Sequence, residues 1–207
     1  MTASVSSING RTRITALAPE RDLDAAAEAA AAMMRALGID PDDPATPDLA
    51  LTPRRLALAY ADLLTPGDFD MTTFENVEEY DEMVLVRDIP LRSVCEHHLL
   101  PFIGRAHVAY LPAERIVGLS KLARIVSHHA SRPQTQERLT TQVASSLVER
   151  LQPRGVGVVI EAEHTCMTLR GAKAPGTTTT TSSLRGLIKE SPSTRAEFLA
   201  LVGRGAR

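Results

Sequence analysis

The chain has 207 residues, of which 43% are hydrophobic and 23% charged, with a formal net charge of −2. That is enough apolar material for one domain with an appendage or two small ones, and too little net charge to hold a nucleic acid or a membrane surface. Two cysteines exclude a disulfide framework, 3% aromatics with no tryptophan argue against a base-stacking platform, and no signal peptide or membrane span is legible, so a soluble cytoplasmic protein is expected.

In chain order, residues 1–20 are rich in Ser, Thr and Arg and read as a flexible N-terminal arm. A helical region over residues 21–80 follows. From Asp22 to Leu37, apolar residues recur at Leu23, Ala26, Ala27, Ala30, Met34 and Leu37, a helical repeat that Gly38 ends. DPDDPATPD (40–48) is a linker, and Thr52-Pro53 supplies an N-cap and a first-turn proline for a second helix to about Leu64. After residue 80 the period changes. EMVLVRDIPL and RAHVAYLP read as strands, and two helices follow over Ser120 to about Ser131 and Pro133 to Leu151. GVGVVIEAEHTCMTLR (155–170) and the threonine run at 177–183 read as two further strands, and SPSTRAEFLALV as a capped terminal helix. The order is helices, ββααββ and a helix, an α+β arrangement with residues 81–207 as its main domain.

Three of the eight cysteines and histidines fall within SVCEHHLLPF (93–102). Cys95 and His98 place a soft thiolate and an imidazole, both zinc ligands, on one turn. Cys166 lies in HTCMTLR, where a strand period of two puts His164, Cys166, Thr168 and Arg170 on one face. Taken alone, Cys-x-x-His fits two buried structural cysteines about as well as a metal site. The coincidence of His, Cys and Arg on one strand face favours the metal. Three protein ligands leave a fourth position open, the pattern of a catalytic zinc, and any imidazole not bound to it is free to move protons near neutral pH. Adjacent side chains do not both reach one ion from an extended turn, so only one of His97 and His98 is a ligand.

GLSKLARIV (118–126) sets Lys121 and Arg124 on one helix face with Ser120 as N-cap. That is a natural phosphate site, although an ordinary capped surface helix has the same pattern. RPQTQERLT (132–140) places Gln136 and Glu137 in the first turn of the next helix, where a glutamate also complements the helix dipole. His107 reads as a strand residue, and His128 and His129 as partly exposed helix positions.

Taken together, CEHH, GLSK, RPQTQERLT, EAEHTCMTLRG and TRAEFL, in this order within residues 50–201, resemble GTP cyclohydrolase I. The resemblance implies a T-fold (tunnelling fold) catalytic domain whose subunits close an oligomeric β-barrel, two pentameric rings stacking into a homodecamer. It implies conversion of GTP and water to 7,8-dihydroneopterin triphosphate and formate, the first step of folate and pterin biosynthesis. Zinc held by Cys95, His98 and Cys166 would activate the water for attack at purine C8. By the same resemblance His97 and His164 are catalytic proton-transfer groups, Glu137 anchors the guanine N1 and 2-amino donors, and Gln136 is a further base or ribose contact. Ser120, Lys121, Arg124 and Arg170 match triphosphate and ribose positions, and Arg55 matches a basic residue reaching the phosphates from a neighbouring subunit. Leu58 stands where many relatives carry a second basic residue, and Thr135 where an aliphatic is usual. Two other classes compete. A catalytically silent T-fold binder would lose metal or proton-transfer groups that this chain keeps, and a structural zinc module normally needs four protein ligands.

Overall fold

The computed structural model describes residues 4–8, 11–15 and 20–203, which divide into a helical unit over residues 18–65 and a larger unit from the rest. The larger unit begins with strands β1 (Ser4–Ile8) and β2 (Arg11–Thr15), antiparallel from Ser4↔Thr15 to Ile8↔Arg11. The flexible arm expected over residues 1–20 is therefore a strand pair over much of its length. Val5, Ile8, Thr12, Ile14 and Thr15 are β-branched and suit a pleated surface. The other residues before position 20 lie outside the described ones.

In the helical unit, α1 (Leu23–Ala36) and α2 (Thr52–Leu63) are joined through a 3-10 turn at Pro47–Leu49. Asp22 caps α1 by accepting from the Asp24 and Ala25 amides. Arg21 satisfies the last carbonyls of α2, donating to Ala61 O at 2.7 Å and to Leu64 O at 2.6 Å. The cap position of α2 is Leu51, one residue before the expected Thr52, which is already helical.

The larger unit continues with β3 (Phe69–Glu75), β4 (Val84–Cys95), β5 (Pro101–Leu111), β6 (Arg115–Val117), α3 (Leu119–Ala130) and the short β7 (Pro133–Gln134). Then come α4 (Gln136–Leu151), β8 (Gly155–His164), the single turn α5 (Thr165–Thr168), β9 (Thr179–Gly186), α6 (Leu187–Glu190) and α7 (Pro192–Gly203). The fold is mixed α+β. One sheet runs β7-β4-β5-β8-β9, antiparallel except between β4 and β7, and a second runs β1-β2-β3-β6. The boundary expected at residue 80 falls at residue 66 instead, because β3 pairs with β2 and β6 and buries Met71 in the core. Among the described residues no helix is long and apolar enough to cross a membrane.

Strand alternation sorts the large sheet into two faces. Phe102, Ala106, Val108 and Tyr110 of β5, with Val156, Val158 and Ile160 of β8, pack against Leu122, Ile125 and Val126 of α3 and Leu139, Val143 and Leu147 of α4. Each fully buried Val, Leu, Ile or Phe among them stabilises the fold by about 1.5–3 kcal/mol. On the other face Ala109, Leu111 and Val159 receive Ile188 of α6 and Phe198 of α7. Gly157 makes that docking possible, since a Cβ there would stand 2.9 Å from the Phe198 ring.

His128 and His129, expected at partly exposed positions, turn inward on α3. His128 is buried, and the His129 ring meets Ser146 Oγ of α4 at 2.8 Å. Burial pushes His129 down to about 3 from an ordinary 6.5, with His128, Arg132 and Arg150 acting in the same direction. The folded ring therefore refuses a proton that the unfolded chain accepts, so stability falls as pH drops from about 6.5 towards 3. Thermal midpoints recorded between about pH 7 and about pH 4 should fall on acidification, less steeply in His129→Gln. Equal slopes in the two proteins would remove His129 as a cause.

Candidate active site

The turn between β4 and β5 is closed by the Cys95 amide donating to Leu100 O at 2.9 Å and the Leu99 amide donating to Cys95 O at 2.8 Å. Leu99 holds a φ of 52°, a conformation uncommon for a side chain of its size. The reversal folds His98 back on Cys95, with Sγ 3.7 Å from Nδ1. Cys166 arrives from the far side of β5. The strand expected to run through residue 170 stops at His164, and the Thr165 hydroxyl donates to Pro101 O at 2.6 Å as the chain enters α5. Cys166 and Arg170 thus do not continue a strand face with His164. One helical turn instead brings Cys166 to Cys95.

The ligand atoms of Cys95, His98 and Cys166 all lie within 4.8 Å of one another, and no other such group of three forms among the described residues. Of the adjacent histidines, His98 is the one within reach of the sulfurs. The His97 side chain is 66% exposed, and its Nε2 lies 3.6 Å from Glu96 Oε1. Two sulfurs and an imidazole nitrogen suit a borderline-soft cation, whereas magnesium and calcium take oxygen. Burial pushes the Cys166 thiol up and the Cys95 sulfur pushes it the same way, while Arg170 opposes. A cation held by these residues would reverse that balance and favour both thiolates.

The start of α4 braces this cluster. Pro133 and Gln134, expected as helix, pair in parallel with Val94 and Cys95, and the Glu96 amide donates to Gln134 O at 3.0 Å. Thr135 is the N-cap, its hydroxyl accepting from the Arg138 amide. Arg138 reaches back to Pro133 O and Gln134 Oε1, both at 2.9 Å, and pairs with the Glu96 carboxylate. Glu96 therefore lies between Arg138 and His97. Neither Glu96 nor Arg138 stands among the sequence candidates, although both sit inside the motifs that supplied those candidates.

His164 faces Phe102 across the β5–β8 pairing, the two rings stacked at 4.5 Å and 10°. Its Nε2 is 2.8 Å from Gln136 Oε1. Burial lowers its pKa, and the Glu137 carboxylate opposes that shift. Glu137 is exposed on the first turn of α4. Gln136, expected to contact base or ribose, is only 2% exposed, and its amide is engaged within the fold.

The basic residues are less gathered. The N-cap of α3 is Gly118, not Ser120, because the chain is tied there by the Gly118 amide donating to Thr72 O at 3.2 Å. Ser120 and Arg124 are exposed, and so is Arg170 beyond α5. Lys121, Arg124 and Arg170 pair with no carboxylate among the described residues. Arg55 is an exposed residue of α2 in the helical unit. A cleft of about 560 Å³ opens elsewhere, on the other sheet face beside Asp88, Arg105, His107 and Glu161. Among the described residues no group of three ligand atoms of the kind formed by Cys95, His98 and Cys166 converges there.

Residues 26–203 match the family model for GTP cyclohydrolase I. The chain belongs to the GTP cyclohydrolase I family. It is similar to a GTP cyclohydrolase 1 of Carboxydothermus hydrogenoformans, 53% identical over 175 residues that cover 83% of this chain and 90% of the relative. A GTP cyclohydrolase 1 of Mycolicibacterium paratuberculosis is 51% identical over 204 residues, covering 95% and 98%. A third, from Brevibacillus brevis, is 50% identical over 185 residues, covering 87% and 97%.

Metal analysis after dialysis tests the cluster in this family member. Cys95→Ser, His98→Ser and Cys166→Ser should each lose most bound zinc, because two remaining ligands hold it poorly. His97→Ser should keep most of it. Full zinc in Cys166→Ser would break the link between the two halves of the cluster, and a zinc-free His97→Ser beside a loaded His98→Ser would reverse the histidine roles.

Proposed function

We propose that the chain is a GTP cyclohydrolase that hydrolyses the imidazole ring of GTP at C8, releases formate and forms 7,8-dihydroneopterin triphosphate. The observation that carries this is the Cys95–His98–Cys166 group beside His164, in a chain about half identical over most of its length to proteins named GTP cyclohydrolase 1. Zinc is the metal those three residues would hold, and when bound it supplies the Lewis acidity that brings the pKa of water towards neutrality.

The chain's own residues do the rest. Glu137 accepts from guanine N1–H and the 2-amino group. Adenine has no such donor pair, and a carboxylate left unpaired in a closed site makes the rejection strong. His97, exposed at the β4–β5 turn, passes a proton at N7. His164 moves protons during ring opening and loss of formate. Ser120, Lys121, Arg124 and Arg170 offer a hydroxyl and three cations to the triphosphate and ribose, and Arg55 is delivered to the phosphates by a neighbouring subunit. The assembly is a homodecamer of T-fold subunits. Among the described residues the large sheet ends at β9 on one side and at the two-residue β7 on the other, edges that a neighbouring copy can pair. Two free cysteines suit a reducing cytoplasm.

Purified protein incubated with GTP should release formate and give a fluorescent pterin on oxidation, with the activity sedimenting at the mass of a decamer. Glu137→Ala should raise the KM for GTP by about tenfold or more at unchanged zinc content. Zinc-loaded protein that releases no formate would sink the proposed activity. A Glu137→Ala variant with ordinary KM would reduce Glu137 to a partner of the helix dipole.

A further inference from the structure

The amide of Gln136 is oriented by partners that leave no choice. Its Nε2 lies 3.0 Å from Ile160 O, 2.9 Å from Thr179 O and 3.1 Å from Thr181 Oγ1. Main-chain carbonyls only accept, so this end of the side chain is the NH2 group and the other end is the carbonyl. That carbonyl, Oε1, is the atom 2.8 Å from His164 Nε2. It too can only accept. His164 Nε2 therefore carries a hydrogen, and in the neutral ring Nδ1 keeps the lone pair.

The orientation is held from several sides. Ile160 belongs to β8 and Thr179 and Thr181 to β9, so two neighbouring strands grip one amide. The Thr140 hydroxyl donates to Gln136 O at 2.7 Å and lies 2.6 Å from Thr181 Oγ1, tying the first turn of α4 to β9. Phe102 stacked on the imidazole restricts its rotation. The two side-chain N–H bonds of Gln136 face three acceptors, so no side-chain donor remains for a nucleotide.

We propose that the Gln136 side chain positions His164: it fixes the tautomer with hydrogen on Nε2, turns Nδ1 into the working atom, and does not itself touch the substrate. This rests on the proton-transfer role of His164 in the proposed reaction. A ring free to exchange tautomers and to rotate presents the wrong atom for part of the time, and loss of such a supporting contact lowers the rate by about 10- to 100-fold.

A double-variant cycle separates the possibilities. Wild type, Gln136→Leu, His164→Ala and the double variant are assayed for kcat and KM with GTP at matched zinc content. Gln136→Leu should lower kcat by about 10- to 100-fold with KM within about threefold, and should have no further effect once His164 is alanine. Losses that multiply in the double variant and fall on KM would mean that Gln136 contacts the nucleotide, overturning the proposal. Because Leu takes a donor away from the Ile160 and Thr179 carbonyls, Thr181→Val supplies a milder version. It should lower kcat less, again only when His164 is present, and an equal loss in both backgrounds would also overturn the proposal. A His164→Ala variant with wild-type kcat would instead refute the proton-transfer role itself, before Gln136 is altered.

Discussion

The pairing of β8 with β5 runs without interruption from Leu111↔Gly155 to Phe102↔His164, and a slip of one residue would turn His164 to the opposite face of the sheet. The same slip would expose Val156, Val158 and Ile160, at about 1.5–3 kcal/mol each, so burial against α3 and α4 fixes the register. With the register set, Thr165 meets Pro101 and Cys166 meets Cys95. Cys95 is placed by the companion pairing of β4 with β5 that ends at Val94↔Pro101. Cysteines far apart in the chain thus become neighbours because β5 pairs both with β4, which ends at Cys95, and with β8, which leads into the α5 turn that carries Cys166.

The segment RPQTQERLT then serves the site in two directions. Pro133 and Gln134 extend the sheet beside Cys95, Arg138 clasps Glu96 at the β4–β5 turn, and Gln136 holds His164. Gln136 and Glu137 are adjacent, yet one is buried and the other exposed, because successive residues of a helix point about 100° apart. One helical turn therefore supplies an internal brace and an outward carboxylate together.

The order of the long elements from β4 to α7 was legible because periods of two and 3.6 are distinct over long segments, and the Cys-His-Cys group because so few residue types bind zinc. The end of β8 was not legible. A period of two places His164, Cys166, Thr168 and Arg170 of HTCMTLR on one face, but periodicity over so few residues does not separate a strand from one helical turn. Residues 4–15 look polar enough for an arm, although β-branched residues flanking an Asn-Gly pair in the sequence are a hairpin signal. The burial of Gln136 depends on carbonyls 24 and 43 positions away, and the role of Glu96 on an arginine 42 positions away. Such partners exist only once the strands have paired. His128 and His129 turned inward for a similar reason, since Ser146 on α4 faces the His129 ring.

If one zinc ion joins the end of β4 to α5, its coordination shell must contain both cysteine sulfurs, those of Cys95 and Cys166. X-ray absorption at the zinc edge, on protein loaded with one equivalent of zinc, measures that shell directly. The expected spectrum has two sulfur neighbours at about 2.3 Å and lighter nitrogen or oxygen neighbours at about 2.0–2.1 Å. A shell holding a single sulfur, or nitrogen and oxygen alone, would contradict the joining of the two strand ends by one ion.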